Sequence, residues 1–158
     1  MDKQQISEIY RENCHTLYRL CCFYMKNEQD ALDVMHNTFV KLMEYQGEFE
    51  GAAHVKNWLV RVAVNECKDI VRHWWRKTLD VEECILPGRN TVEEYMQSKA
   101  VVEQLMKLPV KSRLVLYLFY FEGYATKEIA QILNMNESTV RSALRRGRIK
   151  LRLEMEEE

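Results

Sequence analysis

Apolar residues recur every three or four positions along most of the chain, which is the spacing of one face of an α-helix. This periodicity predicts a first helix over about residues 6–25, a second ending near Tyr45 and a third over about 55–77. A cap-like segment at Asn27 precedes the second helix, and Gly47 and Gly51 predict a loop after it. The first part of the chain is therefore predicted to be a small helical bundle.

The helical periodicity stops over residues 78–90, where Pro87 and Gly88 mark a break. Residues 78–104 carry six acidic and two basic side chains, a net charge of −4, which indicates a linker or a partner-binding strap and not a nucleic-acid surface. A capping box beginning at Thr91 predicts a fourth helix to about Lys107, and Pro109 predicts the start of a fifth. We therefore predict an all-α fold of two small helical domains, residues 1–77 and 91–158, joined by an acidic linker over 78–90.

The stretch from Tyr124 to Leu153 has the pattern of two short helices joined by a tight turn. Ala130 is small where two helices must cross closely, Asn134 tolerates a left-handed backbone, and Val140 returns an apolar side chain to the shared core. Asn136 is a suitable N-cap for the second helix. The remaining core positions are Ile129, Leu133, Met135 and Leu144. This spacing predicts a helix-turn-helix, whose second helix enters the major groove of DNA.

The charges of this stretch favour the same interpretation. Residues 125–153 hold seven basic and two acidic side chains, a net charge of +5. Arg141, Arg145, Arg148 and Arg152 follow one another at spacings of four, three and four, which places them along one helix face. A solvated face on a helical hairpin is the alternative, but charge and turn pattern together favour duplex DNA.

The third predicted helix carries an unusual polar face. Opposite its apolar stripe lie Asn57, Arg61, Asn65, Lys68, Arg72 and Trp75. Cations meet phosphates, amides meet base edges and aromatic rings stack on bases, so this set suits a single nucleic-acid strand. An ordinary amphipathic helix explains the cations but not the asparagines or Trp75, and the residues alone leave both interpretations open.

Composition narrows the remaining classes of function. The 158 residues carry a net charge of −1, and the five cysteines form no C-x-x-C pair, which predicts a reduced, cytoplasmic protein. Polar residues follow Met1, so no secretion signal is expected, and no apolar run approaches the roughly 18 residues of a membrane span. Cys14 and Cys21 lie on the first apolar stripe and are predicted to be core residues, not metal ligands. We expect no cofactor.

Several segments, in this order, resemble the small extracytoplasmic-function (group IV) class of bacterial sigma factors. Residues 30–34, with Phe39 following, are similar to the segment that docks on the β′ clamp helices of RNA polymerase. Residues 57–65 are similar to the segment that melts and reads the minus-ten promoter element. Leu108-Pro109, Arg113, Glu122-Gly123, residues 128–130 and residues 139–142 are similar to region four, which binds the minus-thirty-five element.

The resemblance implies a sigma factor that binds core RNA polymerase, directs promoter-specific initiation and has no active site. It assigns polymerase binding to Asp33, His36, Asn37 and Phe39, with Leu42 nearby. It assigns the minus-ten element to Asn57, Trp58, Arg61, Asn65, Lys68, Arg72 and Trp75. It assigns the minus-thirty-five element to Thr126, Lys127, Ser138, Thr139, Arg141, Ser142, Arg145, Arg146 and Arg148. The β flap of the polymerase and an anti-sigma factor are further partners that the class allows.

The chain departs from the class at several positions. His36 replaces the usual glutamine, and Ala125 replaces a serine cap, which should weaken that helix start by about 1 kcal/mol. Asn37 stands where an acidic residue is frequent. Ala143 replaces a common arginine, which suggests a shifted promoter preference. Gly147 replaces alanine, at a cost of about 1 kcal/mol in helix propensity.

Two other functions compete with this one. A free-standing dimeric helix-turn-helix regulator would leave the polar face of the third helix unused, and no dimerisation helix is evident. A thiol- or metal-dependent enzyme or sensor would need clustered ligands, whereas His15, His36, His54 and His73 are scattered along the sequence.

Overall fold

The computed structural model describes residues 1–25, 27–74 and 103–156, and the side chains of residues 1–25, 27–71 and 103–152. The chain divides into two compact units, Met1–Pro87 and Gly88–Glu158. The described ranges contain helices and no strand, so the predicted all-α fold is confirmed. The domain boundaries at residues 77 and 91 stay a prediction, because residues 75–102 lie outside the described ranges.

The first unit contains three helices, each of which packs on the other two: α1 (Lys3–Met25), α2 (Glu28–Glu44) and α3 (Ala52–Trp74). The predicted cap at Asn27 is confirmed, since its Oδ1 accepts a hydrogen bond of 3.0 Å from the Asp30 amide. Such a bond satisfies one of the amides that a helix start leaves unpaired. Residues 45–51 form the loop that the two glycines predicted.

The single apolar stripe predicted on α1 is wrong in detail. Cys14, which was expected on that stripe, is half-buried, and Tyr10, four residues earlier on the same side of the helix, is 44 % exposed. The buried part of α1 instead includes neighbouring residues, among them Leu20, Cys21, Cys22 and Phe23. Because α1 contacts both α2 and α3, the two neighbouring helices bury a wider face of α1 than a single apolar stripe. The same holds for α3, where Leu59, Val60, Ala63 and Val64 are all fully buried, so neighbouring residues and not one stripe form its core face.

Three cysteines belong to this core. Cys21, Cys22 and Cys67 are fully buried, so the prediction that Cys21 is a core residue is confirmed. A side-chain hydrogen bond with Cys21 and burial raise the pKa of the Cys67 thiol well above its ordinary value. A neutral, buried thiol packs as a small hydrophobe and is a poor nucleophile.

The described part of the second unit starts with helical residues 103–106 and continues with α4 (Val110–Leu116), which leads into a π-helical segment (Tyr117–Phe121). Two further helices follow, α5 (Thr126–Leu133) and α6 (Glu137–Glu156). Both α4 and α5 pack on α6. Pro109 directly precedes α4 as predicted, whereas the part of the predicted fourth helix over residues 91–102 lies outside the described ranges. The π-helical segment was not predicted.

A buried arginine stabilises the segment that directly precedes α4. Arg113 is 1 % exposed, and its Nη1 donates to the carbonyls of Met106 at 3.2 Å and Leu108 at 3.4 Å. These carbonyls lie at and just after the end of the helical residues 103–106, where unpaired acceptors and a partial negative charge favour a cation. Arg113 therefore joins the turn before α4 to α4 itself. No helix within the described residues is long and apolar enough to cross a membrane.

Candidate polymerase and nucleic-acid interfaces

The outward face of α2 carries three of the four residues predicted to bind polymerase. Asp33, His36 and Asn37 are exposed, and Asp33 accepts a hydrogen bond of 3.3 Å from Gln29 Nε2. Phe39 is instead buried at 7 % exposure, with its ring 4.8 Å from that of Tyr10 on α1. Leu42, which was expected near the same surface, is also buried. Phe39 and Leu42 thus pack α2 onto the bundle and offer little surface to a partner.

Three apolar side chains on the outside of α2 were missed by the sequence reasoning. Leu32 and Val40 are each 39 % exposed and Met43 is 55 % exposed. With His36 they are spaced by four, four and three residues, so they form one stripe along the helix. Their sequence signal is weak, because isolated apolar residues on the polar side of a helix are common. Together they give α2 an apolar strip beside Asp33 and Asn37.

The polar face predicted on α3 is only partly exposed to solvent. Arg61 and Asn65 are exposed, while Asn57 and Lys68 are half-buried. Arg61, Asn65 and Lys68 follow at spacings of four and three, on one side of the helix. The side chain of Arg72, and Trp75 as a whole, lie outside the described residues. Beside this face Glu66 forms an ion pair with Lys41, which links α3 to α2.

An aromatic cluster stands at the start of α3 and in the loop before it. The Trp58 ring lies 4.9 Å from that of Tyr45 and 5.8 Å from that of Phe49. His54 contacts the edge of Phe49 at 5.2 Å, and its Nδ1 accepts a hydrogen bond of 3.1 Å from the Glu50 amide. Sequence reasoning named only Trp58 from this cluster. The signal that could have found the others is the density of rings around a loop with two glycines.

The turn between α5 and α6 has the geometry that its sequence predicts. Asn134 adopts the left-handed conformation, with φ 54° and ψ 53°. The amide of Met135 donates to the Ala130 carbonyl at 2.9 Å, which closes the end of α5. Ala130, Ile129, Leu133, Val140 and Leu144 are all buried, whereas Met135 is half-buried. Asn136 directly precedes α6, and its carbonyl accepts from the Val140 amide at 3.1 Å.

Polar contacts hold the two helix starts in place. The Ala125 amide donates to Glu128 Oε1 at 3.1 Å, so the start of α5 retains one half of a capping box although alanine has no side-chain acceptor. Thr126 Oγ1 donates to Glu137 Oε1 at 3.1 Å, and the same carboxylate oxygen lies 3.4 Å from Arg141 Nη1. Glu137 thus connects the N-terminus of α5 to an arginine of α6.

The outward face of α6 is strongly basic. Arg141, Arg145, Arg146 and Arg148 are exposed together with Ser138 and Ser142, and Lys127 is exposed on α5. Thr126 and Thr139 are half-buried. Leu151, seven residues after the buried Leu144 and on the same side of α6, is only half-buried. The structure therefore brings most of the residues assigned to the minus-thirty-five element to one helix surface and its approach.

Two positions of α6 do not have the roles expected from the sequence. Ala143 is 1 % exposed and belongs to the core, so it offers no side chain with which to alter a promoter contact directly. Gly147 is buried against α4, where an added Cβ would lie 2.7 Å from Leu116 Cδ1. The glycine permits the close approach of α4 and α6, and the gain in helix propensity expected from alanine would be opposed by this overlap.

Both units match families of known proteins. Residues 9–77 match Sigma-70 region 2, and residues 98–151 match Sigma-70, region 4. The chain is 27 % identical over 150 residues to the ECF RNA polymerase sigma factor SigM of Mycobacterium tuberculosis, covering 95 % of this chain and 76 % of that protein. It is 26 % identical over 163 residues to the RNA polymerase sigma factor SigV of Bacillus subtilis, covering 100 % of this chain and 98 % of that protein.

Solved structures share the fold. The sigma factor RpoE of Bartonella quintana, in complex with the anti-sigma factor NepR, superposes with a TM-score of 0.78 at 19 % identity, covering 98 % of this chain and 96 % of that one. CnrH, in complex with the cytosolic domain of CnrY, superposes with a TM-score of 0.70 at 21 % identity, covering 99 % and 91 %.

Proposed function

The chain belongs to the sigma-70 family, as an extracytoplasmic-function sigma factor that binds core RNA polymerase and directs promoter-specific transcription initiation, and from this premise we propose which residues carry each step. The two units carry different steps of initiation. The first unit docks on polymerase and captures the opened minus-ten element, and the second reads the minus-thirty-five element as duplex. The protein supplies no active site, and it works in the cytoplasm, where its polymerase is.

Core binding is proposed for the outer face of α2. Asp33, His36 and Asn37 are exposed, and the fold needs none of them for packing. The apolar strip of Leu32, Val40 and Met43 beside them supplies area that a partner can remove from water. A polar set next to an apolar strip is the usual composition of a protein interface. The β′ clamp helices are the part of polymerase that the family resemblance assigns to this surface.

A pull-down with sigma-free core polymerase tests this assignment. Asp33→Arg should abolish stable stoichiometric binding and leave the thermal melt nearly unchanged, since Asp33 is exposed. Glu12→Arg is the matched control, because it reverses one charge at an exposed position on α1. If Asp33→Arg binds polymerase like the unaltered protein, the docking surface lies elsewhere. If the unaltered protein does not bind at all, the chain acts as a free regulator.

Strand capture is proposed for the outer face of α3 and the loop before it. Asn65 would contact a base edge, and Arg61, Lys68 and Arg72 would hold phosphates. Tyr45, Phe49 and Trp58 add aromatic surfaces at the start of the helix, where unstacked bases find a platform. We keep Trp75 in the proposal as a further stacking residue, on its sequence position alone.

Reading of the minus-thirty-five element is proposed for α6. Ser142 and Arg145 lie near the middle of its outward face and are the candidates for base contacts. Arg141, Arg146 and Arg148 flank them and are candidates for phosphate, with Lys127 and Thr126 at the approach from α5. The observation that supports a DNA-facing side is the exposure pattern over residues 137–152, with the core residues of α6 on one side and its arginines on the other.

An anti-sigma factor is proposed as a further partner. RpoE and CnrH were both solved as complexes, with the anti-sigma factor NepR and with the cytosolic domain of CnrY. The α2 strip of Leu32, Val40 and Met43 is a suitable surface for such a partner, since a protein that covered it would also prevent polymerase binding. Competition between polymerase and an anti-sigma factor for the unaltered chain would support this role, and Met43→Glu should weaken the binding of both, because both are proposed to cover the same strip.

A further inference from the structure

One arginine of α6 is held by aromatic residues of the π-helical segment. Arg148 Nε donates a hydrogen bond of 2.6 Å to the Tyr120 hydroxyl. The Arg148 guanidinium carbon lies 5.5 Å from the centre of the Tyr120 ring and 5.6 Å from that of Phe119. The Phe119 distance falls within the range of cation–π contacts, whereas the Tyr120 distance follows from the hydrogen bond to its hydroxyl, so Arg148 is held by that hydrogen bond and by the Phe119 ring.

The π-helical segment is what places these rings beside α6. Tyr117–Phe121 carries five consecutive large apolar or aromatic residues, and the Glu122 amide donates to the Tyr117 carbonyl at 3.3 Å, five residues back. Such wide turns occur in short pieces and often at functional sites. Tyr120 is 56 % exposed although it is aromatic, so the core does not explain its position. Within the described residues, Tyr120 contacts Arg148 outside its own segment.

The geometry leaves the two Nη groups of the Arg148 guanidinium available for a ligand. A guanidinium donates through Nε and through two Nη groups, and a phosphate accepts most favourably from a pair of parallel N–H bonds. Since Nε is already engaged by Tyr120, both Nη groups can be offered to a phosphate. A long side chain that is fixed before binding loses less conformational entropy when it binds. Arg145, one turn earlier, has no such aromatic support in the described contacts.

We propose that Tyr120 is a positioning residue for DNA binding: it holds Arg148 so that the guanidinium meets a backbone phosphate next to the minus-thirty-five element. The proposal rests on the assignment of α6 to that element. It separates two kinds of arginine on the helix, since a prepositioned Arg148 contributes to affinity for every sequence, while Arg145 contributes to the choice of base.

The test measures the affinity of holoenzyme for a duplex that the holoenzyme itself has selected from a random library. Tyr120→Phe keeps the ring and removes the hydroxyl, and should weaken binding about three- to tenfold, equally for all single-base changes in the element. Arg148→Gln should weaken binding and lower the salt slope by about one unit. In the Arg148→Gln background, Tyr120→Phe should then have no further effect.

A second background serves as the matched control. Lys150→Gln removes one exposed charge from the same helix, on the side away from Arg148, so Tyr120→Phe should keep its whole effect there. Thermal melting should change little for all of these variants, because the altered side chains are exposed.

Three results would overturn the positioning role. Unchanged affinity with Tyr120→Phe would mean that the hydroxyl does not prepare Arg148, and tighter binding would mean that Tyr120 holds Arg148 away from DNA. Independent, additive losses from Tyr120→Phe and Arg148→Gln would mean that the two residues act separately. If any of these results is obtained while Arg145→Ala still flattens a base preference, α6 still reads the minus-thirty-five element but Tyr120 has no positioning role. Failure of the holoenzyme to select any minus-thirty-five sequence would overturn both.

Discussion

Replacing Gly147 by alanine tests the packing of the recognition helix against α4. In an exposed helix this change is favourable by about 1 kcal/mol, because alanine loses less backbone entropy on folding. Here the new Cβ would lie 2.7 Å from Leu116 Cδ1 and 3.2 Å from Leu116 Cγ. Leu116 is 2 % exposed, so it has little space into which to move.

The two effects have opposite signs and can be compared. Overpacking of a filled core costs about 1–3 kcal/mol, and the gain in propensity offsets about 1 kcal/mol of that. We therefore expect Gly147→Ala to destabilise the second unit by about 1 kcal/mol, within a range of about 0–2 kcal/mol. A loss of that size lowers the folded-to-unfolded ratio about fivefold.

Native-state hydrogen exchange at the amides of α4 and α6 is the suitable assay, because it reports the stability of this unit separately from the first. Ser142→Ala is the matched control, since Ser142 is exposed on the same helix, and its effect should be a small gain in helix propensity of up to about 0.5 kcal/mol. In a Leu116→Val background the cost of Gly147→Ala should fall by about 1 kcal/mol. Increased protection of α4 and α6 in Gly147→Ala alone would refute the proposed overlap and leave helix propensity as the dominant effect.

Three further expectations concern the interfaces and the core. Asn65→Ala in the holoenzyme should reduce open complexes, detected by permanganate footprinting, more than closed ones, and an equal loss of both would argue against strand capture. Arg145→Ala should flatten the base preference at one or two positions, at about 1–3 kcal/mol each, while Arg152→Ala should lower affinity evenly and reduce the salt slope by about one unit. An intact preference after Arg145→Ala would make α6 a clamp and not a reader. In the native protein, Cys21, Cys22 and Cys67 should resist a thiol reagent that labels the half-buried Cys14. Since the pKa of Cys67 is raised, its resistance should persist up to about pH 9, and rapid labelling without unfolding would contradict the packing.

The sequence alone determined the local features of this protein. The cap at Asn27 follows from a short side chain that accepts a hydrogen bond from a nearby backbone amide. The left-handed conformation of Asn134 follows from the tolerance of asparagine for positive φ. The helix order follows from apolar spacing, which records one buried face per helix. These preferences act within a few residues of chain, so they can be recognised without knowledge of any partner element. The same locality allowed the turn of the helix-turn-helix to be placed correctly.

The tertiary structure decided which residues of each helix are available to a partner. Phe39 was assigned to an interface and Ala143 was expected to shift promoter preference, yet both are buried, whereas Leu32 and Met43 were not predicted and are exposed. A second neighbouring helix broadens the buried face, and a sequence does not state how many neighbours a helix has. The approach of Leu116 to Gly147 and the contact of Tyr120 with Arg148 join residues 31 and 28 positions apart. Such contacts depend on how α4 and the π-helical segment meet α6, and that arrangement is set by packing across the whole unit, not by any local preference.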